Sequence, residues 1–245
     1  MNTQMHPTNT FKRYEKKFLL SQEQFHPLHE IVAKHMPPDI YGEYLVQSLY
    51  YDTSTWDIIR KSIENPVYKE KMRLRCYGVP DIDSKVFLEL KKKYKGIVNK
   101  RRISFPIEEL HDKTTRDIAS DDKSQIGKEL DYYFKSNPVD ERVHISYSRE
   151  AFADGRGLRI TFDTDIRFRT NLLDYKHPNG GLAILPDGII LMEVKTLGCM
   201  PLWMAQALSK FDIYPTSFSK YGVGYKIYVL QKGDISSWNI LPKSF

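Results

Sequence analysis

Apolar and polar side chains alternate with period two through much of this chain, the pattern of strands that bury one face. The alternation predicts strands at Phe11–Leu20, Tyr44–Tyr51, Tyr68–Tyr77, Lys85–Tyr94, Ile97–Phe105, Arg142–Phe152, Leu158–Arg169 and Gly188–Thr196. Turn residues separate several of them: Gly78-Val79-Pro80-Asp81, Lys95-Gly96 and Asp154-Gly155-Arg156-Gly157 close antiparallel hairpins. Helical spacing appears at His26–Met36, with Pro27 placed in the first turn, at Ser54–Glu64, at Ile126–Phe134 inside a charged stretch from Pro106 to Ser136, and at Pro201–Phe211. The aromatic, Ser-containing tail Thr216–Leu230 reads as strand plus loop. Strands grouped antiparallel with helices set apart give an α+β fold.

The polar faces of these strands are basic. In Tyr68–Tyr77 one face carries Lys69, Lys71, Arg73 and Arg75, and the other Met72, Leu74 and Cys76. The split recurs with Glu89, Lys91 and Lys93; with Lys100 and Arg102; with Tyr147 and Arg149; with Arg159, Thr161, Asp163 and Asp165; and with Glu193 and Lys195. A sheet with one face in water gives the same alternation. Like charges on neighbouring strands repel, however, and a solvated face normally mixes signs. Bases concentrated in this way suit a polyanion held among them, with the sheet closed into a barrel, the basic faces inward and helices outside. Arg offers a planar fork for phosphate oxygens and Lys a mobile point charge. Glu15, Glu89, Asp163, Asp165 and Glu193 then either neutralise these bases or hold a hard divalent cation.

Composition narrows the setting. The chain has 245 residues, 41% hydrophobic and 28% charged, ordinary for a folded protein rather than a disordered one. Lys and Arg number 37 against 31 Asp and Glu, a formal charge of +6, which favours an anionic partner without identifying it. The expected organisation is one domain over residues 11–230, a flexible start over 1–10 and a C-terminal extension over 231–245. No signal peptide and no apolar run of about 20 residues is evident. The two cysteines, Cys76 and Cys199, read as reduced thiols, so the expected location is cytoplasmic. No Walker loop, Rossmann glycine fingerprint, GxSxG elbow or HExxH motif is present, and the seven histidines show no metal-ligand spacing.

With the strands in place the sequence resembles the VTC domain, the polyphosphate polymerase domain of the vacuolar transporter chaperone complex, within the triphosphate tunnel metalloenzymes of the CYTH-like superfamily. The resemblance runs from about Phe11 to Tyr228. It rests on Arg13-Tyr14-Glu15-Lys16-Lys17, Lys71-Met72-Arg73-Leu74-Arg75, Phe87-Leu88-Glu89-Leu90-Lys91, Ser146-Tyr147-Ser148-Arg149, Leu191-Met192-Glu193-Val194-Lys195 and Ser217-Phe218-Ser219-Lys220-Tyr221. Each piece is short, and their order and spacing carry the match. Two positions depart from the pattern. Arg13 stands where the superfamily often has a first glutamate, which argues against the short-chain triphosphatase branch, and Ser217 stands where a second lysine is common.

The resemblance implies that Lys17, Arg73, Arg75 and Lys195 orient and neutralise the triphosphate of ATP. It further implies that Lys91, Lys100, Arg149, Arg159 and Lys220 bind phosphates, that Tyr147 and Ser219 add hydrogen bonds, and that Glu193 ligates manganese or magnesium. The implied reaction is transfer of the γ-phosphoryl group of ATP to a growing polyphosphate end, through a passage open at both mouths with Lys92, Lys100 or Arg102 towards the exit. Hydrolysis of inorganic, nucleoside or thiamine triphosphate in the same tunnel is the first alternative, and a non-catalytic polyanion-binding module the second. Nucleic acid is not the expected partner, because the sequence shows no evident stacking platform. Coupling to a membrane would need a separate protein. As ligand groups, Arg75 and Arg149 are expected to be dispensable for stability.

Overall fold

The structure is a computed structural model and describes residues 14–95 and 97–230. Expectations for Phe11, Lys12, Arg13, the start over 1–10 and the extension over 231–245 lie outside the described residues. Among the described residues nine strands, all antiparallel, form one sheet in the order β1-β9-β7-β6-β2-β3-β4-β5, with the short β8 beside β7. They are β1 Tyr14–Leu20, β2 Pro38–Asp52, β3 Tyr68–Tyr77, β4 Lys85–Tyr94, β5 Ile97–Pro106, β6 Asp140–Ala153, β7 Arg159–Arg169, β8 Leu182–Ala183 and β9 Ile190–Thr196. The helices are α1 Gln22–His35, α2 Asp57–Ile63, α3 Glu109–Asp112, α4 Thr115–Asp121, α5 Gln125–Ser136, α6 Leu202–Lys210 and α7 Lys220–Gly224.

The apolar faces of the strands pack outward, as the alternation predicts. On one half Phe18, Phe162, Met192 and Val194 bury against Leu28 and Val32 of α1 and Met204 and Leu208 of α6. On the other, Met72, Leu74, Leu88 and Leu90 bury against Ile118 of α4 and Leu130 and Phe134 of α5. Helix α1 starts earlier than expected, because Ser21 and Gln24 form a reciprocal capping box. Pro27 therefore lies inside the helix, not in its first turn.

Two expectations are corrected. Among the described residues the sheet is not a barrel closed by hydrogen bonds: β1 and β5 are its edges and no pairing joins them. It is nevertheless strongly curved, since Lys91 of β4 interacts electrostatically with Glu15 and Lys17 of β1 and Lys195 of β9, although five strands separate β4 from β1. The tail is the second correction. Thr216 makes a single bridge to Lys17, and the chain then turns into α7 and a π-helical segment, Tyr225–Leu230, rather than a strand. Gly224 makes this docking possible, because a Cβ there would lie 2.1 Å from the Phe168 ring of β7. The helical tail buries Tyr221, Tyr225 and Ile227 against Leu19, Val143, Ile145 and Leu191, so apolar packing with α2 and α7 covers one end of the curved inner face.

Candidate functional site

The basic inner face has two differently built walls. On β1, β9, β7 and β6, antiparallel register places Glu15 opposite Lys195 and Lys17 opposite Glu193, Thr161 opposite Glu193 and Arg159 opposite Lys195, and Arg149 opposite Asp163. Opposite charges therefore meet at Glu15–Lys195, Lys17–Glu193 and Arg149–Asp163, while Arg159 turns from Lys195 to Asp39. The Glu193 carboxylate accepts from Lys220 Nζ at 3.3 Å and lies 3.2 Å from Lys195 Nζ, 3.7 Å from Lys17 Nζ and 3.9 Å from Arg149 Nη2. Burial opposes its charge, but Lys220, Lys195, Lys17 and Arg149 hold its pKa well below the ordinary carboxylate range. Asp163 is fully buried and accepts two bonds from Arg149, at 2.6 and 2.7 Å, and one from Lys220.

On β2, β3, β4 and β5 the balance is different. Lys71, Arg73, Arg75, Lys91, Lys100 and Arg102 stand on β3, β4 and β5 with one inward carboxylate on those strands, Glu89 of β4, while Lys91 is drawn to Glu15 of the facing wall and Asp52 of β2 accepts from Ile58 N, Ile59 N and the Tyr221 hydroxyl. Glu89 pairs with Arg73 at 2.8 Å, with Lys100, and with Arg102 at 3.9 Å. Burial would raise its pKa, but Arg73, Arg75 and Lys100 lower it to about 2. Arg73 also donates to Tyr50 at 3.1 Å, and among the described residues Arg75 donates only to hydroxyls, Ser48 at 3.2 Å and Tyr147 at 3.3 Å. Lys71 reaches Ser219 at 3.4 Å. Burial, aided by Lys17, Lys69 and Lys91, lowers the Lys71 pKa to about 8 against the opposing pull of Tyr50. Lys91 and Lys100 are lowered too, first by burial. On β3, β4 and β5 positive charge outweighs negative, as expected of a surface that receives an anion.

Most residues read from the sequence as ligand groups meet on this face. Lys220 stands over the Tyr147 ring at 4.4 Å, and its pKa is raised by Asp163 and Glu193 against the effect of burial. Ser219 caps α7 by accepting from Gly222 N. Arg159 sits at the rim, bonded to Asp39 and Tyr44. Asp165 does not join them. A register shift between Ser146 and Ser148, with Asp165 at φ 46°, turns its side chain out to Arg167, because a bulge interrupts the period of two. Lys92 is likewise outside, 3.6 Å from Glu129 of α5. Tyr50 joins the face without any signal in its spacing, and Lys71, which the alternation places on the basic face but not among the expected ligand groups, stands beside it.

Among the described residues no group of three or more His, Cys, Asp and Glu could hold a metal ion. The oxygen donors still suit a hard cation of partly hydrated type. Glu193 is charged and Glu15 is close enough to interact with it. Thr161, directly across from Glu193, has a buried hydroxyl without a hydrogen-bond partner. A magnesium-like ion needs only one or two carboxylates when water and phosphate oxygens complete its shell. With four bases around Glu193, such an ion would need the negative charge of a phosphate ligand.

Among the described residues no helix is long and apolar enough to cross a membrane. No curated protein matches the sequence. The fold is similar to that of a putative adenylate cyclase from Bacillus halodurans, at 15% identity and a TM-score of 0.51 over 84% of this chain and 92% of that one. It is also similar to a putative adenylyl cyclase from Hippeastrum described as having a dominant triphosphatase activity, at 16% identity and a TM-score of 0.50 over 86% and 94% of the two chains. At these identities the likeness is one of fold. The VTC domain family matches residues 12–229, and the chain therefore belongs to that family.

Proposed function

We propose that this protein is a metal-dependent phosphotransferase that moves the γ-phosphoryl group of ATP onto the end of a polyphosphate chain lying along the basic inner face. The observation that carries the reading is the cluster of Lys71, Arg73, Arg75, Lys91, Lys100 and Arg102 around one inward carboxylate, Glu89, on β3, β4 and β5, facing a β1–β9–β7–β6 wall where Glu15, Glu193 and Asp163 each meet a base across the strands. Membership of the VTC domain family favours the polymerase among the activities such a face could support.

In this reading Arg73, Arg75, Lys91 and Lys100 hold phosphate oxygens on one wall, and Lys17, Lys195, Arg149 and Lys220 do so on the other, with Tyr147 and Ser219 donating hydrogen bonds. Arg159 contributes at the rim. An oxygen of the chain's terminal phosphate forms the new bond to the γ-phosphorus as the bond to the β,γ-bridging oxygen breaks, and ADP leaves. The attacking oxygen is already anionic, so no general base is needed. The residues supply alignment and neutralise charge. Glu193, with Glu15 and the Thr161 hydroxyl nearby, would hold a manganese or magnesium ion, which when bound acts as a Lewis acid on phosphate oxygens.

Triphosphate hydrolysis has one observation in its favour: the apolar packing of α2 and α7 covers one end of the face, and a hydrolase needs a single mouth. Transfer of label distinguishes the two. With γ-labelled ATP, divalent metal and a short polyphosphate primer, label should enter longer, acid-labile chains, and chelation should stop it. Label released only as orthophosphate would overturn the polymerase reading in favour of hydrolysis.

The depressed pKa of Lys71 gives a pH dependence. Below pH 8 the side chain is charged in the free protein; above it the free protein loses the proton, while a bound polyanion favours retaining it. Affinity for inorganic tripolyphosphate should therefore be full below about pH 8 and decline above it, by up to about ten-fold per pH unit. Lys71→Arg stays charged throughout. The ratio of native to Lys71→Arg affinities, measured from pH 6.5 to 9.5, removes the ligand's own titration. It should fall as pH rises, and a constant ratio would remove Lys71 from the phosphate path.

A further inference from the structure

The rim where the basic face opens beside Arg75 and Arg149 carries a row of aromatic rings. Tyr41 and Tyr44 of β2 lie 6.1 Å apart between centroids at 76°, Tyr44 and Tyr77 of β3 6.0 Å apart at 66°, and Tyr77 and Phe87 of β4 5.7 Å apart at 69°, so that each ring meets the next edge to face. The Arg102 guanidinium of β5 lies 4.6 Å from the Phe87 centroid. The rings sit on the same side as the bases: Tyr44, Tyr77 and Phe87 are each two positions, or a multiple of two, from Ser48, Arg75 and Glu89 on their strands. Register places Tyr44 opposite Arg149 and Phe87 opposite Arg75. Tyr77 is 42% and Tyr41 71% exposed, an arrangement that leaves aromatic surface in water at the threshold of a charged cleft.

We infer that the exposed Tyr77 ring, held edge-on between Tyr44 and Phe87, is a stacking platform for the base of a nucleoside triphosphate, with the triphosphate directed inward past Arg75 and Arg149. Aromatic faces bind any base by stacking, and a guanidinium in the same row adds a cation–π contact. Inorganic phosphate chains have nothing to place there, so the platform separates the nucleotide donor from the polyphosphate acceptor, which two substrates sharing one basic face require. It also gives the donor a direction: base at the aromatic rim and γ-phosphate towards Glu193 and Lys91. The inference rests on the proposed triphosphate site.

The test titrates ATP and inorganic tripolyphosphate separately into the native protein, Tyr77→Leu and Tyr77→Phe. Leucine keeps apolar bulk and removes the aromatic face; phenylalanine keeps the face. Tyr77→Leu should weaken ATP about five-fold or more and leave tripolyphosphate within about two-fold, and Tyr77→Phe should restore ATP. Phe87→Leu, on the adjoining strand, should give the same split, which keeps the test decisive if one variant folds poorly. An ATP affinity unchanged in both leucine variants, or ATP and tripolyphosphate weakened alike, would overturn the platform while leaving the basic site standing. A native protein that binds neither compound would overturn the triphosphate site and the platform with it.

Discussion

Arg149→Ala should destabilise the protein by about 3 kcal/mol, towards the lower end of the range for stripping one partner from a buried ion pair, and so lower its Tm by roughly 6–12 °C for a chain of this size. The reason is Asp163, which has no exposed surface and takes two of its hydrogen bonds from this guanidinium. Lys220 remains as a partner, which keeps the loss towards the lower figure. Arg75→Ala should behave differently. Among the described residues its side chain hydrogen-bonds only neutral hydroxyls, and Glu89, which its charge also steadies, keeps Arg73 and Lys100 as partners. Its Tm should stay within a few degrees of native, while tripolyphosphate affinity falls about ten-fold or more, the worth of a charge-assisted hydrogen bond. Thermal melts and calorimetric titrations of the two variants check the contrast. Equal melting temperatures would contradict the structural role of Arg149, which corrects the sequence expectation that both arginines serve the ligand alone.

That correction shows where sequence reasoning ran out. Strands Tyr68–Tyr77 and Lys85–Tyr94 were legible to the residue, because each has one face packed by α4 and α5 and the period of two is unbroken. The grouping of Arg73 and Arg75 with Lys91 followed from the same period. Cross-strand partners were not legible, since the Arg149 pairing with Asp163 depends on the register between β6 and β7. Nor was the bulge beside Tyr147, which adds one unpaired position and turns Asp165 outward. Closure also depends on more than local pattern: alternating faces establish that the sheet has an inside and an outside, and not whether its edge strands pair. The tail misled for a different reason. Tyr225–Leu230 is rich in aromatic and β-branched residues, whose strand preference was overridden by burial of Tyr225 and Ile227 against β1, β6 and β9.

Some of the site was visible only as composition. The excess of Lys and Arg on β3, β4 and β5 could be counted from the sequence, but the depressed pKa of Lys71 and the isolation of Glu89 come from burial. The aromatic rim joins residues on three strands, and nothing in their sequence spacing brings them together. The order β2-β3-β4 does so.

The claim that a phosphate chain lies along the inner face is tested most directly by two neighbours on β4. Lys91 points into the face, interacting with Glu15, Arg73 and Lys195, and Lys92 points out to Glu129. Tripolyphosphate titrated into Lys91→Ala and Lys92→Ala at one salt concentration should bind the first about ten-fold or more weakly than native, and the second within about two-fold. Equal affinities, or a larger loss in Lys92→Ala, would contradict the placement of the chain on the inner face.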